Sequence, residues 1–188
     1  MAMLRTGRDR TRALAARIHA FDQTIDRAID RWRGPALDPV FYGLSSAADH
    51  GLLWGAIGSA RAACAGDPAD ALRLGAVLTV ESVLTNGPVK WCFRRVRPES
   101  DHAPGDPLPY GMHRPISSSF PSGHAASAFT AAMMLRDTPG APLWFALAAA
   151  VAASRVYTRM HHASDVVAGA ALGIAMGAVA RRLLPLHG

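Results

Sequence analysis

The chain has 188 residues and a formal net charge of +6, with 50% hydrophobic and 18% charged residues. This length suits one domain, and so much apolar side chain excludes a disordered or fibrous protein. Arginine supplies nearly all of the basic excess, since Lys90 is the only lysine, and two cysteines are too few for a disulfide framework. A basic chain binds nucleic acid, an anionic membrane surface or a phosphorylated substrate, and composition does not choose among them.

The first predicted element is an amphipathic helix over residues 12–33, which Gly34 and Pro35 end. Its apolar residues recur at steps of three and four: Leu14, Ile18, Phe21, Ile25, Ile29 and Trp32. Such a helix either packs on a core or lies in a membrane interface, and we assign residues 1–35 as an Arg-rich tail and interfacial helix. Residues 36–188 form the predicted main domain.

That main domain contains a succession of apolar stretches. They are 39–48, 51–65, 72–89, 122–135, 141–156 and 166–184. A membrane-crossing helix needs about 20 mostly apolar residues, so several stretches are short and each alone would fit a buried core helix. Their succession favours an all-α, polytopic membrane bundle of five or six spans. Gly169, Gly173 and Gly177 recur every four residues, which predicts a groove where another helix packs closely.

Three polar clusters lie at the ends of these stretches. The first follows residue 89 and contains Lys90, Arg94, Arg95, Arg97 and Pro98. By itself it is typical of the basic flank of a membrane helix. A Pro-rich loop over residues 93–120 separates it from the next stretch, and loops of this length are usually functional or disordered.

The second cluster, Pro121, Ser122, Gly123 and His124, opens the next apolar stretch. Proline and serine at a helix start are explained by capping alone. The serine hydroxyl, the free backbone N–H groups and the positive end of the helix dipole also form an anion site. His124 is placed to donate a proton to whatever is held there.

The third cluster contains Ser154, Arg155, His161 and Asp165. A helix would place His161 and Asp165, four residues apart, on one face, where the carboxylate can hydrogen-bond the imidazole. The other ring nitrogen is then free as a nucleophile or base. A simple polar contact or half of a metal site is the alternative, but the chain has no HExxH pattern and no dense carboxylate group nearby.

Topology brings the clusters together. In a bundle of alternating direction, the ends at residues 90, 122, 154 and 161 lie on the same face. Three cations, a helix N-terminus, two histidines and a carboxylate at one place describe a phosphate site with an acid and a nucleophile.

These residues resemble the three signature motifs of the type 2 phosphatidic acid phosphatase (PAP2) superfamily. The motifs read Lys90-x6-Arg97-Pro98, Pro121-Ser122-Gly123-His124 and Ser154-Arg155-x5-His161-x3-Asp165, with all eleven fixed positions present. The resemblance covers about residues 36–184. It implies that His161 attacks phosphorus, that Asp165 orients it, and that His124 protonates the leaving oxygen. It also implies a phosphate-binding set made of Lys90, Arg97, Ser122, Gly123 and Arg155, with no metal and no cofactor.

The resemblance further implies a multi-pass enzyme of the cell membrane that acts on a lipid phosphate and has membrane lipids, not nucleic acid, as its partners. The short, Ala- and Arg-rich form is similar to actinobacterial decaprenylphosphoryl-5-phosphoribose phosphatases. Polyprenyl-linked substrates therefore come first, followed by phosphatidate or phosphatidylglycerol phosphate. A headgroup transferase and a non-catalytic lipid-binding scaffold are the alternatives. The number of spans, and with it the membrane face of the site, stays open.

Four polar residues outside the motifs have weaker assignments. Asp49 is expected to cap a helix that begins at His50. Glu81 and Asn86 lie inside an apolar stretch, where polar groups are either functional or paired between helices. His113 belongs to the long loop and is either solvated or in contact with a headgroup.

Overall fold

The structure, a computed structural model, describes residues 2–102 and 106–187. Within these residues the chain forms seven α-helices and no strand, which confirms the all-α prediction. The helices are α1 (Ala2–Asp30), α2 (Asp38–Ala47), α3 (Leu52–Ala65), α4 (Pro68–Leu84), α5 (Gly123–Met134), α6 (Ala141–Tyr157) and α7 (Ala163–Leu183).

The closest packing in the bundle joins α5 to α7. A Cβ atom added at Gly169, Gly173 or Gly177 would lie closer than 3.0 Å to atoms of α5 or of Ser122, the residue that caps it. The hydroxyl of Thr130 on α5 also donates to the carbonyl of Gly173 at 3.1 Å. Because only glycine leaves room for this approach, the predicted packing groove is confirmed.

The main hydrophobic core lies between α3, α4, α5 and α6. Its fully buried members include Trp54, Leu74, Met134 and Val151, with small alanines between them. Small residues let these short helices pack closely, so the polar ends of several helices come together at one end of the bundle.

Helix α4 ends sooner than the predicted 72–89 stretch. It stops at Leu84, and a turn of π-helix over Thr85–Val89 follows. Pro88 lacks the N–H that an α-helix needs, and Gly87 departs from helical backbone angles at φ −95 and ψ −106. This irregular turn sets the position of Lys90 directly after it.

Among the described helices, α7 alone combines the length and the apolar character needed to cross a membrane, while α6 is apolar but shorter. Helix α5 has 12 residues, which at 1.5 Å per residue is about 18 Å. The predicted five or six spans therefore stay a prediction.

Helix α1 runs from Ala2 to Asp30, so it begins earlier and ends earlier than the predicted 12–33. Near its C-terminal end, Ile25 and Ile29 pack against a cluster that includes Val156 and Val166. Residues 9–21 are all exposed. Part of the apolar stripe thus packs on the bundle, and an interfacial position for the rest stays a prediction.

Candidate active site

A cavity of about 660 Å³ lies at the end of the bundle where the three motifs meet. Six of the predicted site residues line it: Lys90, Arg97, Gly123, His124, Arg155 and His161. They come from the turn after α4, the long loop, the start of α5, the end of α6 and the residues before α7. The topological inference that these ends share one face therefore agrees with the structure.

Two predicted residues, Ser122 and Asp165, are fully buried behind the cavity wall. The Ser122 hydroxyl caps α5 by accepting from the N–H of Ala125 at 3.4 Å. The Ser122 N–H donates to the carbonyl of Asp165 at 3.0 Å. The structure thus gives Ser122 the capping role that was the alternative to phosphate binding, and Asp165 contacts the cavity only through its neighbours.

The imidazole of His161 is held in one tautomer by the backbone. Its Nδ1 lies 2.7 Å from the carbonyl oxygen of Ser119, which can only accept, so Nδ1 carries the proton. The other nitrogen, Nε2, is 3.3 Å from a guanidinium nitrogen of Arg97. Burial lowers the pKa of His161 to about 3 against the opposing effect of Asp165, and the charges of Arg155 and Arg97 lower it further. Nε2 is therefore an unprotonated nitrogen with a free lone pair next to a cation.

The predicted hydrogen bond between His161 and Asp165 is absent. The nearer Asp165 oxygen is 3.8 Å from Nδ1, too far for a hydrogen bond. That oxygen accepts from the N–H of His162 at 2.9 Å, and the other accepts from Arg95 at 2.6 Å. The spacing argument fails because α7 begins at Ala163, so His161 precedes the helix. Asp165 acts on the imidazole only through its charge.

The first motif contributes two cations whose environments differ. Arg97 is fixed by the carbonyls of Met160 at 2.6 Å and Pro115 at 3.0 Å. Burial, and then the charge of Arg114, lowers its pKa to about 10. Lys90 is buried against the cavity, and burial, followed by the charges of Arg97 and Arg155, lowers its pKa to about 8. The cavity thus concentrates positive charge at a cost that an anion would offset.

Arg155 is the most deeply buried of these cations, with 3% of its surface exposed. One guanidinium nitrogen donates to the hydroxyl of Ser45 on α2. Its Nε is buried and has no hydrogen-bond partner among the described residues. An unpaired buried donor on a cation is costly, and an anionic acceptor in the cavity would offset that cost.

His124 has a partner that sequence reasoning missed. Its Nε2 donates to a carboxylate oxygen of Asp49 at 2.7 Å. Burial raises the pKa of Asp49, but the hydrogen bond from His124 and the nearby positive charges outweigh this and hold it below its ordinary value. The predicted capping role of Asp49 is wrong, because α3 begins at Leu52 without a side-chain cap and follows a short turn over Asp49–Gly51. No local sequence signal joins Asp49 to a histidine 75 positions away.

Three further polar residues, Glu81, Asn86 and His113, have defined surroundings. Glu81 accepts from Thr85 at 2.7 Å and from Ser127 on α5, so it is the predicted pairing between helices. Asn86 and His113 both line the cavity. Asn86 packs against Gly123, where an added Cβ would lie 2.8 Å from its side-chain oxygen.

One group of possible metal ligands occurs among the described residues, at the opposite end of the bundle. It contains Asp67, Asp70 and His187. A guanidinium nitrogen of Arg73 lies 2.7 Å from Asp70 and 2.8 Å from the His187 ring, so a cation already occupies this group. It contributes nothing to the cavity.

Comparison with known proteins agrees with this geometry. Decaprenylphosphoryl-5-phosphoribose phosphatase from Mycobacterium tuberculosis is 37% identical over 91 residues, which are 48% of this chain and 49% of that protein. Lipid A 1-phosphatase from Porphyromonas gingivalis is 34% identical over 94 residues, or 47% of this chain and 18% of that protein. The matched region thus spans about half of the mycobacterial relative and less of the second.

Two solved structures are similar over most of the chain. One is a transmembrane PAP2 type phosphatidylglycerolphosphate phosphatase from Bacillus subtilis, with a TM-score of 0.68, 26% identity and coverage of 88% of this chain and 85% of that one. The other is LpxE from Aquifex aeolicus, with a TM-score of 0.66, 25% identity and coverage of 85% and 94%. Residues 70–187 match the sequence pattern of the PAP2 superfamily, and with the motifs gathered in one cavity the chain belongs to that superfamily.

Proposed function

We propose that the protein is a multi-pass membrane phosphatase that hydrolyses a lipid phosphate through a phosphohistidine, without a metal or cofactor. The observation that carries this proposal is the cavity in which an unprotonated Nε2 of His161 faces Arg97, beside the unpaired Nε of Arg155. Lys90 adds a third cation to the same wall. A nucleophile surrounded by cations is suited to attack on an anionic phosphoryl group.

In the first step, the Nε2 lone pair of His161 forms a bond to phosphorus, and the bond from phosphorus to the leaving oxygen breaks. Lys90, Arg97, Arg155 and the Gly123 N–H neutralise the phosphoryl oxygens. The Ser119 carbonyl and the charge of Asp165 stabilise the imidazole as it becomes positive. His124 gives a proton to the leaving oxygen.

In the second step, His124 takes a proton from water, whose oxygen attacks phosphorus and releases His161 and inorganic phosphate. Asp49 supports both steps, because its carboxylate accepts from Nε2 of His124 and stabilises the protonated ring. Among the described residues, Nδ1 of His124 has no hydrogen-bond partner. We assign Nδ1 as the atom that exchanges the proton.

A lipid substrate is supported by the walls of the cavity beyond the cations. Gly51, Gly55 and Gly75 leave room between α3 and α4. Thr79 and Val83 line the same cavity and are also exposed on the outside of α4. The cavity therefore joins a cationic end to a small-residue and apolar wall, which suits a phosphate headgroup attached to a hydrocarbon chain.

We place decaprenylphosphoryl-5-phosphoribose or another polyprenyl phosphate first among substrates, since the mycobacterial relative is named for that compound. Phosphatidylglycerol phosphate is the next candidate, since the similar Bacillus subtilis structure is named for it. Phosphatidate and transfer of the phosphoryl headgroup to another lipid complete the alternatives. The exposed apolar stripe of α1 then lies in the membrane interface near the site.

The test is phosphate release by the purified full chain from four lipids: decaprenylphosphoryl phosphoribose, a polyprenyl diphosphate, phosphatidate and phosphatidylglycerol phosphate. We expect release from at least one, and loss of at least about 1,000-fold in His161→Ala with no change in the melting temperature. An acid-labile phosphorylated protein should be trapped from the wild-type chain and not from the variant.

Each alternative predicts a different outcome. Full activity in His161→Ala would exclude the phosphohistidine. A new lipid ester in place of free phosphate would indicate a transferase, and no turnover of any lipid would leave a binding protein. Reporter fusions at both termini determine the topology, because termini on the same side of the membrane require an even number of spans.

A further inference from the structure

A buried carboxylate of α1 contacts the catalytic end of the bundle. Asp22 has 1% of its surface exposed, whereas residues 9–21, which precede it on this helix, are all exposed. One carboxylate oxygen accepts from the N–H of Ser164 at 2.8 Å, and the other from the Ser164 hydroxyl at 2.9 Å. Asp22 thus caps the first turn of α7, the helix that carries Asp165, from outside that helix.

Arg95 joins Asp22 to the residues on both sides of His161. One guanidinium nitrogen donates to Asp22 at 2.5 Å, and the other donates to Asp165 at 2.6 Å and to the Ser164 hydroxyl at 2.7 Å. The backbone carbonyl of Arg95 also accepts from the N–H of Ser119. Ser119 supplies the carbonyl that fixes the His161 tautomer. One arginine therefore holds both groups that act on the nucleophile.

We propose that Asp22 is a positioning residue for the nucleophile, acting through Arg95, so that docking of α1 sets the catalytic geometry. The inference rests on the proposed function and extends it, because Asp22 lies outside residues 70–187, which match the superfamily. The end of α1 is fixed at the same face, since Arg159 contacts Asp30 at 2.9 Å. Without the Asp22 charge, Arg95 is free to leave Asp165, and the start of α7 loses its outer cap.

The charges explain why this contact bears on chemistry as well as on folding. Asp165 has both oxygens occupied, one by Arg95 and one by the His162 N–H, and the nearer oxygen lies 3.8 Å from Nδ1 of His161. Its effect on His161 is therefore electrostatic and depends on where Arg95 sits. Neither Asp22 nor Arg95 lines the main cavity, so their loss should slow the chemical step and leave phosphate binding intact.

The experiment compares Asp22→Asn with Asp9→Asn, an exposed aspartate on the same helix, using the best lipid of the panel. We expect Asp22→Asn to lower kcat about 10-fold, while KM and the inhibition constant of inorganic phosphate stay within about twofold. Asp9→Asn should match the wild-type chain. Arg95→Ala and the double variant complete a cycle, in which the double variant is no slower than Arg95→Ala alone.

Either of two results would overturn the proposal: wild-type kcat in Asp22→Asn, or losses that multiply in the double variant. If Asp22 had a merely structural role, Asp22→Asn would lower kcat by the same factor in the wild-type chain and in Arg95→Ala. It would also lower the melting temperature in proportion. If Asp22→Asn does not fold, Arg95→Ala is compared with the double variant, in which both charges are removed. Equal kcat in these two variants supports the proposal, and a slower double variant overturns it. A wild-type chain that releases no phosphate would instead overturn the proposed function.

Discussion

The two ends of the bundle both carry clustered charges, but the two clusters differ in burial and in the balance of positive and negative charge. At the cavity end, Lys90, Arg97 and Arg155 line the wall with one carboxylate, Asp49. At the opposite end, Arg73 lies between Asp67 and Asp70, and His187 beside them keeps 63% of its side chain exposed. The far end pairs its charges, with Asp70 buried and the other groups partly exposed, whereas the cavity end is buried and has an excess of positive charge.

This difference in burial and charge balance distinguishes a cluster of structural ion pairs from the proposed anion site. Exposed ion pairs contribute little, typically about 0–1 kcal/mol. Buried cations without a counter-charge lower the stability of the fold, so their presence is better explained by the binding of an anion than by stability. The number of charged residues is similar at the two ends, so it is the combination of burial and excess positive charge that supports the proposed anion site at the cavity end.

Among the comparisons between the two ends, the largest effect is expected from a matched pair of arginines. Arg155→Ala should lower kcat/KM by about 100- to 1,000-fold, since it removes a buried cation from the transferring phosphoryl group. Arg73→Ala should leave kcat/KM within about twofold, although it should lower stability by about 1–3 kcal/mol because the buried Asp70 loses a charged partner. Phosphate release and thermal melting measure both. Equal losses in the two variants would remove the distinction between the ends.

A smaller effect is expected from a matched pair of aspartates. Asp49 and Asp70 each accept a hydrogen bond from a histidine, from the ring of His124 and from the backbone of His187. Asp49→Asn should lower kcat by about 10- to 100-fold, because the protonated His124 loses its counter-charge. Asp70→Asn should keep wild-type kcat. Unchanged kcat in Asp49→Asn would show that Asp49 has only a structural role.

A pH profile tests the cationic cavity more finely. The pKa of Lys90 is lowered to about 8, so its charged form prevails below pH 8 and is lost above it. We expect kcat/KM to fall as pH rises through 8, since this parameter reports the free enzyme. Lys90→Arg keeps its charge and should move the alkaline limb upward by at least one pH unit. An identical limb in both proteins would show that another group titrates.

The smallest effect is expected on treatment with EDTA. The possible metal ligands at the far end already surround Arg73, and that end contributes nothing to the cavity. Phosphate release should therefore be unchanged by the chelator and by added Mg²⁺. A loss of activity that Mg²⁺ restores would contradict the metal-independent mechanism.

Sequence reasoning agrees with the structure where the arrangement depends on residue type and local order. The three motifs, the gathering of four helix ends and the glycine groove on α7 all follow from patterns within a few residues or from alternation of helices. It failed where a boundary shifted. A start of α7 two residues after His161 removed the expected hydrogen bond with Asp165, and Ser122 turned its hydroxyl to the α5 backbone.

The sequence by itself determined the all-helical class, the superfamily and six of the residues that line the cavity, because motif spacing and apolar periodicity depend on residues close together in the chain. Only the tertiary structure decided their partners. Ser119 lies 42 positions from His161, Asp22 lies 73 from Arg95, and Asp49 lies 75 from His124. No periodicity records contacts over such distances, since they arise when packing of the helices excludes water and buried polar groups pair with the protein groups that lie within reach.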